Sequence, residues 1–248
     1  MEGKSSGRLP LIDALRGFAI INVVIYHFLY DVYVIYGVNP QWPELTAISV
    51  WQRWGCSLFL LLGGMALHLG RHALRRGLQL NVLGLVITLA TYWLIPSEAI
   101  YYGILTFFGC AMLTGWLLRP LWGRVPPATG LICCVTGYLL TQDVSSGWVQ
   151  LGSWRLWQWP QALYDDRLAI LGFHGSSFAS ADYVPLLPHI FVFIGGWFLY
   201  AWLERAGRLH WLKYGDIRLL TLPGRHSLLI YLLHQPLLLG LCRLVYGY

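Results

Sequence analysis

Seven apolar stretches organise this chain, at roughly residues 11–36, 54–70, 78–95, 99–118, 128–142, 186–203 and 226–246. A helix needs ~20 mostly apolar residues to cross the hydrocarbon of a bilayer. Most of the stretches reach that length, and the fifth is short for a straight span. Lipid cannot hydrogen-bond a peptide group, so a spanning segment must be a helix or part of a closed barrel. Continuous apolar runs select the helix. The expected fold is all-α: a polytopic membrane helix bundle of about seven spans, with residues 1–248 forming one domain. Composition supports this. The chain is 57% hydrophobic and only 11% charged, where a soluble domain carries about a quarter charged residues. A soluble fold this apolar would expose large greasy patches and aggregate.

Turn residues separate the runs: "GVNPQWP" after the first, "IPSE" after the third and "RPLWGRVPP" after the fourth. Lys and Arg divide between the two sides. Lys4, Arg8, Arg71, Arg75, Arg76, Arg119, Arg124, Arg205, Arg208, Lys213, Arg218 and Arg225 fall on one side. Arg53, Arg155, Arg167 and Arg243 fall on the other. The positive-inside rule then predicts a cytoplasmic N-terminus and an outer C-terminus. The polar start "MEGKSSGRLPLID" and the long run after it predict a retained first span rather than a cleaved signal peptide. The net charge of +6 reads as this topology signal, and no nucleic-acid partner is expected. Cys56, Cys110, Cys133, Cys134 and Cys242 lie in or beside apolar segments and read as small hydrophobes.

The first span, "LIDALRGFAIINVVIYHFLYD", is the informative one. It holds Asp13, Arg16, His27 and Asp31, each costly in hydrocarbon. At ~100° per residue, three turns return His27 to within ~20° of Arg16, ~16 Å further along the axis. Asp13 and Arg16 are spaced i,i+3, and His27 and Asp31 i,i+4. All four share one stripe. Intramembrane ionisable groups face a bundle interior or a water-filled cavity, so the stripe predicts a polar path. A carboxylate one turn from His27 suits an imidazole that works as a base, held and made more basic by its neighbour. Asn22 lies off that stripe, ~120° from Arg16, and is expected to bond a neighbouring helix.

The pattern Asp13-x-x-Arg16-Gly17, an apolar run, then His27 resembles the first helix of the transmembrane acyltransferases. Further blocks are "HFLYD", "FLLLGGMAL", "YGILTFFG", "SADYVPLLPHIFVFIGG" and "GRHSLLIYLLHQPLL". Together they resemble the bacterial family related to the catalytic domain of heparan-α-glucosaminide N-acetyltransferase. The resemblance implies a bacterial inner-membrane enzyme that takes an acyl group, typically acetyl from acetyl-CoA in the cytoplasm. It would deliver that group to a glycan or other amine or hydroxyl acceptor on the opposite side. It implies His27 as general base or transient acyl carrier, oriented by Asp31. Arg16, Arg71, Arg75, Arg76 and Arg225 would hold CoA phosphates, which Arg can bind in bidentate fashion. Thr106 departs from the pattern, standing where many relatives carry His.

On the acceptor side, Asp182 stands at the expected outer mouth, either binding an acceptor or capping the sixth span. Pro236 can kink the last span and open room for His234 and Gln235 to line a cavity. The outer segment from Asp143 to Pro185 carries Trp148, Trp154, Trp157 and Trp159. These read as interfacial anchors or as a cap over a substrate. "GGMALHLG" offers Gly63, Gly64 and Gly70 for close helix packing. His68 and His72 are spaced i,i+4, but three nearby Arg oppose a cation, and no metal site is expected. Two other readings stay open: a transporter or flippase using the same polar stripe, and a b-type haem carrier ligated by His27 with His234 or His189. The acceptor and the presence of a homo-oligomer are left open.

Overall fold

A computed structural model describes residues 9–247. Lys4 and Arg8, two of the expected topology signals, lie outside the described residues. Among those described, the elements in chain order are α1 (Pro10–Tyr30), a π-helical turn (Asp31–Ile35), α2 (Thr46–Leu69), α3 (Ala73–Leu94), α4 (Ile104–Trp122) and α5 (Pro127–Thr141). The strands β1 (Trp148–Leu151) and β2 (Trp154–Gln158) follow, then α6 (Leu186–Arg205), α7 (Arg218–Arg225) and α8 (Ser227–Tyr246).

Among the described residues, five helical segments are long and apolar enough to cross a membrane: Pro10–Ile35, Ala73–Leu94, Ile104–Trp122, Leu186–Arg205 and Ser227–Tyr246. Two of the seven expected spans fall outside this set. α2 is long, at 24 residues, but Gln52, Arg53 and His68 interrupt its apolar run. α5 has only 15 residues. The expected fourth span also begins later, because residues 99–103 turn before α4. The surface of α3 supports a lipid setting: Leu78, Val82, Leu85, Val86, Leu89 and Trp93 are all exposed. A face this apolar is stable when hydrocarbon covers it.

The chain forms two compact units, Met1–Leu62 with Leu203–Tyr248, and Gly63–Trp202. In the first, α1 packs against α7 and α8. The approach of α1 and α7 depends on two glycines. A Cβ on Gly17 would lie 1.7 Å from the Leu220 carbonyl oxygen, and one on Gly224 would lie 1.8 Å from that of Asp13. Only hydrogen fits at either place, so the two backbones touch. On another face of α1, Trp51 Nε1 of α2 donates to Asn22 Oδ1 at 3.1 Å. Asn22 thus bonds a neighbouring helix, as expected. Tyr26 packs its ring against Trp42 and Trp51, at 5.4 and 5.6 Å between centroids.

In the second unit α3 and α4 form an antiparallel pair. Gly84 faces Thr106, whose Oγ1 would be 2.4 Å from an added Cβ, and Gly77 faces the Gly109 carbonyl at 3.0 Å. Thr106, the departure from the family pattern, therefore fills a helix crossing. Gly63 and Gly64 serve close packing as expected. Gly63 abuts the Phe108 ring, and a Cβ on Gly64 would meet the Phe193 carbonyl oxygen at 1.8 Å. Gly70 instead lies just past α2, its N–H on the Ala66 carbonyl. α6 carries a cis Leu187–Pro188 bond and a non-helical Leu187 at its start.

The segment from Asp143 to Pro185 is ordered by short 3-10 turns and the antiparallel β1–β2 hairpin, which adds a small sheet to the all-α expectation. Its tryptophans divide. Trp154 and Trp157 are exposed, as interfacial anchors are. Trp159 packs on Phe173 at 5.4 Å.

The glycine crossing gives a direct test. Gly17→Ala and Gly224→Ala should each cost about 1–3 kcal/mol through overpacking, seen as a lower thermal midpoint in detergent. Gly240→Ala in α8, where an added Cβ meets nothing within 4 Å, should be neutral or stabilising by about 0.5–1 kcal/mol.

Candidate functional site

The polar stripe of α1 faces protein. Asp13 meets α7, and His27 and Asp31 meet α8. Near the start of α1, Arg225 Nε donates to Asp13 Oδ2 at 3.4 Å, and Arg225 Nη2 lies 4.0 Å from Asp216 Oδ1. Asp216 also accepts from the Thr221 hydroxyl at 3.0 Å. The Asp13–Arg225 pair is partly exposed on both sides, a setting in which ion pairs contribute about 0–1 kcal/mol. Its main effect is on direction: two carboxylates already hold the Arg225 guanidinium.

At the other end of α1 the helix widens. The Tyr36 N–H reaches the Asp31 carbonyl at 2.9 Å, five residues back. Such π turns are rare and recur at functional sites. Asp31 opens this turn and is wholly buried. A buried carboxylate is costly unless donors satisfy it. Gln235 Nε2 supplies one such donor to Asp31 Oδ1 at 2.8 Å.

One turn earlier, the half-buried His27 ring rests against that of His234, 4.9 Å between centroids and 65° between planes. His234 is buried, and its Nδ1 lies 2.6 Å from the Tyr231 carbonyl oxygen. A carbonyl oxygen only accepts, so Nδ1 carries the hydrogen and Nε2 is the basic nitrogen of the neutral ring. Pro236 follows directly. Its missing N–H leaves the α8 ladder one donor short at this level, while α8 runs as one helix from Ser227 to Tyr246. The structure thus brings together His27, Asp31, His234 and Gln235, all in the first unit. The two imidazoles stand in edge-to-face contact.

The remaining expected residues sit elsewhere. Arg16 is half-buried on α1. Arg71, Arg75 and Arg76 are exposed around the α2–α3 corner, in the second unit. Arg119 braces that corner, reaching the His68 and Gly70 carbonyls at 3.4 and 3.5 Å. Asp182 also belongs to the second unit. A Cβ on Gly103, the N-cap of α4, would lie 3.5 Å from Asp182 Oδ2. A carboxylate there favours the positive end of the α4 dipole. Asp182 thus stands beside the start of α4.

Sequence reasoning missed the stacking of His68 between Trp197 and Tyr200, at 4.9 and 4.6 Å. The i,i+4 spacing of His68 and His72 is not a shared helical face, because α2 ends at Leu69. Among the described residues no three His, Cys, Asp or Glu side chains converge on a metal position. Beside Asp182, Tyr183 donates its hydroxyl to the Ala169 carbonyl. Burial, and secondarily Tyr102, pushes its phenol up to about 12.

Comparison with known families places this geometry in context. The family described as "Heparan-alpha-glucosaminide N-acetyltransferase, catalytic" matches residues 8–236. No curated protein and no solved structure matches the chain.

Two outcomes follow from these contacts. A double-mutant cycle of Asp31→Ala with Gln235→Leu should give a coupling of about 0.5–3 kcal/mol in thermal or denaturant unfolding, since the two groups touch. Tyr183 is held neutral by the fold, with its pKa raised. The stability it adds is full below its ordinary range near 10 and is lost as pH rises through about 12. The difference in midpoint between the wild type and Tyr183→Phe should shrink over that window.

Proposed function

The chain belongs to the heparan-alpha-glucosaminide N-acetyltransferase catalytic family, and from that premise we propose that it moves an acetyl group from cytoplasmic acetyl-CoA to an amine or hydroxyl of an extracytoplasmic glycan. Its five apolar helices make it an integral membrane protein, and a bacterial inner membrane suits the reading. A cytoplasmic N-terminus puts the Asp13 end of α1 on the donor side and the His27 end toward the acceptor.

The observation that carries the proposal is the meeting of His27 and Asp31 with His234 and Gln235, inside the region the family matches. Acyl transfer needs proximity, removal of the acceptor proton and a route for the thiolate. His27 is the base in this reading, within the charged layer that Asp31 completes. A transient acetyl-imidazole on His27 is the covalent variant, and ping-pong kinetics with burst release of CoA would mark it. Arg16 is the proposed phosphate contact of the first unit, and the exposed Arg71, Arg75 and Arg76 of the second are proposed, by themselves, as a phosphate-binding corner. Arg225 would join Arg16 only by loosening its hold on Asp13 and Asp216. His234 and Gln235 are the proposed acceptor-side groups of the first unit, with Gln235 already engaged in positioning Asp31, and Asp182 is the proposed acceptor contact of the second.

The test uses the full chain in proteoliposomes, with radiolabelled acetyl-CoA on one side and glucosamine as the acceptor probe on the other. Label should appear in the acceptor. His27→Ala should lower the rate at least about 100-fold, the usual contribution of a general base. A well-folded His27→Ala protein with unchanged transfer removes His27 from the chemistry.

A further inference from the structure

The established features of α8 do not explain why a second imidazole lies against His27. His234 is held at one end of its ring and lies against His27 with the rest of it. Nδ1–H is held by the Tyr231 carbonyl, and the ring packs edge-to-face with that of His27. The tautomer is therefore set, with Nε2 as the basic atom. We propose that His234 is the proton partner of His27, so that the proton given up by the acceptor is held by the ring pair and delivered to the departing CoA sulfur. This rests on the function proposed above and assigns His234 a role beyond lining the acceptor side.

The step balances without any oxidant or reductant. The acceptor heteroatom forms a bond to the acetyl carbon, and the carbon–sulfur bond breaks. The acceptor proton passes to His27, is shared with His234, and ends on sulfur as the CoA thiol. A single imidazolium inside a membrane helix bundle would be expensive. Here the positive charge spreads over two rings, and the Nδ1–H···O=C bond to Tyr231 strengthens as His234 becomes cationic. Asp31 lies one turn from His27, and Gln235, which holds it, is the neighbour of His234. That carboxylate stands in the same layer as the transient cation. Two like charges in contact oppose each other, so the pair carries one extra proton and not two. His234 acts through His27 and is a positioning residue by this account.

The experiment compares wild type, His234→Gln and His234→Ala as full chains in proteoliposomes, with labelled acetyl-CoA and glucosamine. CoA thiol release is followed as a second readout. His234→Gln keeps a donor for the Tyr231 carbonyl and should lower kcat about 100-fold, with KM for acetyl-CoA within about twofold because the donor site is untouched. His234→Ala should recover part of the lost rate when imidazole is added, since a small base can occupy the vacated space. Wild-type kcat in His234→Gln overturns the inference, and so does a folded His234→Ala that imidazole does not rescue. Should His234→Ala fail to fold, the kcat and KM of His234→Gln decide alone. Each of these results leaves the proposed function standing if wild type transfers label. A folded wild type that neither transfers label nor releases thiol overturns that function first, and this inference with it.

Discussion

The crossing of α1 and α7 sets up everything that follows in the first unit. Gly17 and Gly224 let two helix backbones meet where any larger residue would separate them by the width of a methyl group. α1 and α7 are then so close that Asp13 and Arg225 pair. α8 continues from α7 and brings its own polar positions against the upper half of α1. Helix association in lipid gains little from the hydrophobic effect, so close packing and interhelical hydrogen bonds must supply it. The crossing provides the packing. Asp31–Gln235 and Trp51–Asn22 provide the hydrogen bonds.

The same logic accounts for where the costly groups lie. Ionisable side chains in a spanning helix survive when protein covers them. α1 has two polar faces, and each finds a partner. The charged stripe turns to α7 and α8, while Asn22 turns to α2. Asp31 is the extreme case, wholly buried at the start of a π turn. The widened turn of α1 and Pro236 of α8, which lacks one ladder N–H, lie on the two helices that share this layer. Irregular backbone in a membrane protein is tolerated where protein buries it, and here the widened turn begins one helical turn beyond His27.

In the second unit small residues do comparable work with a different result. Gly64, Gly77 and Gly84 bring helices together around the aromatic residues Phe107, Phe108 and Phe193. Thr106 sits in that packing. A position that the family pattern suggested for chemistry therefore serves a helix crossing in this chain. Asp182 is similar, since its place beside the N-terminus of α4 gives it a structural reason to be acidic.

Much of this was legible in the residues alone. Apolar run length fixed a helical membrane fold, because lipid leaves the backbone no other open choice. Helical periodicity placed Asp13, Arg16, His27 and Asp31 on one stripe and Asn22 off it, since that angle depends only on residue spacing. Span number was less legible: the run around α2 mixes polar and apolar residues, and length and hydropathy cannot say how such a helix is covered. Partner choice was not legible at all. Asp31 and Gln235 are 204 residues apart, and nothing local tells a carboxylate which amide will reach it. That was decided when two glycines brought α1 and α7 into backbone contact and carried α8, with His234 and Gln235, to the level of His27 and Asp31.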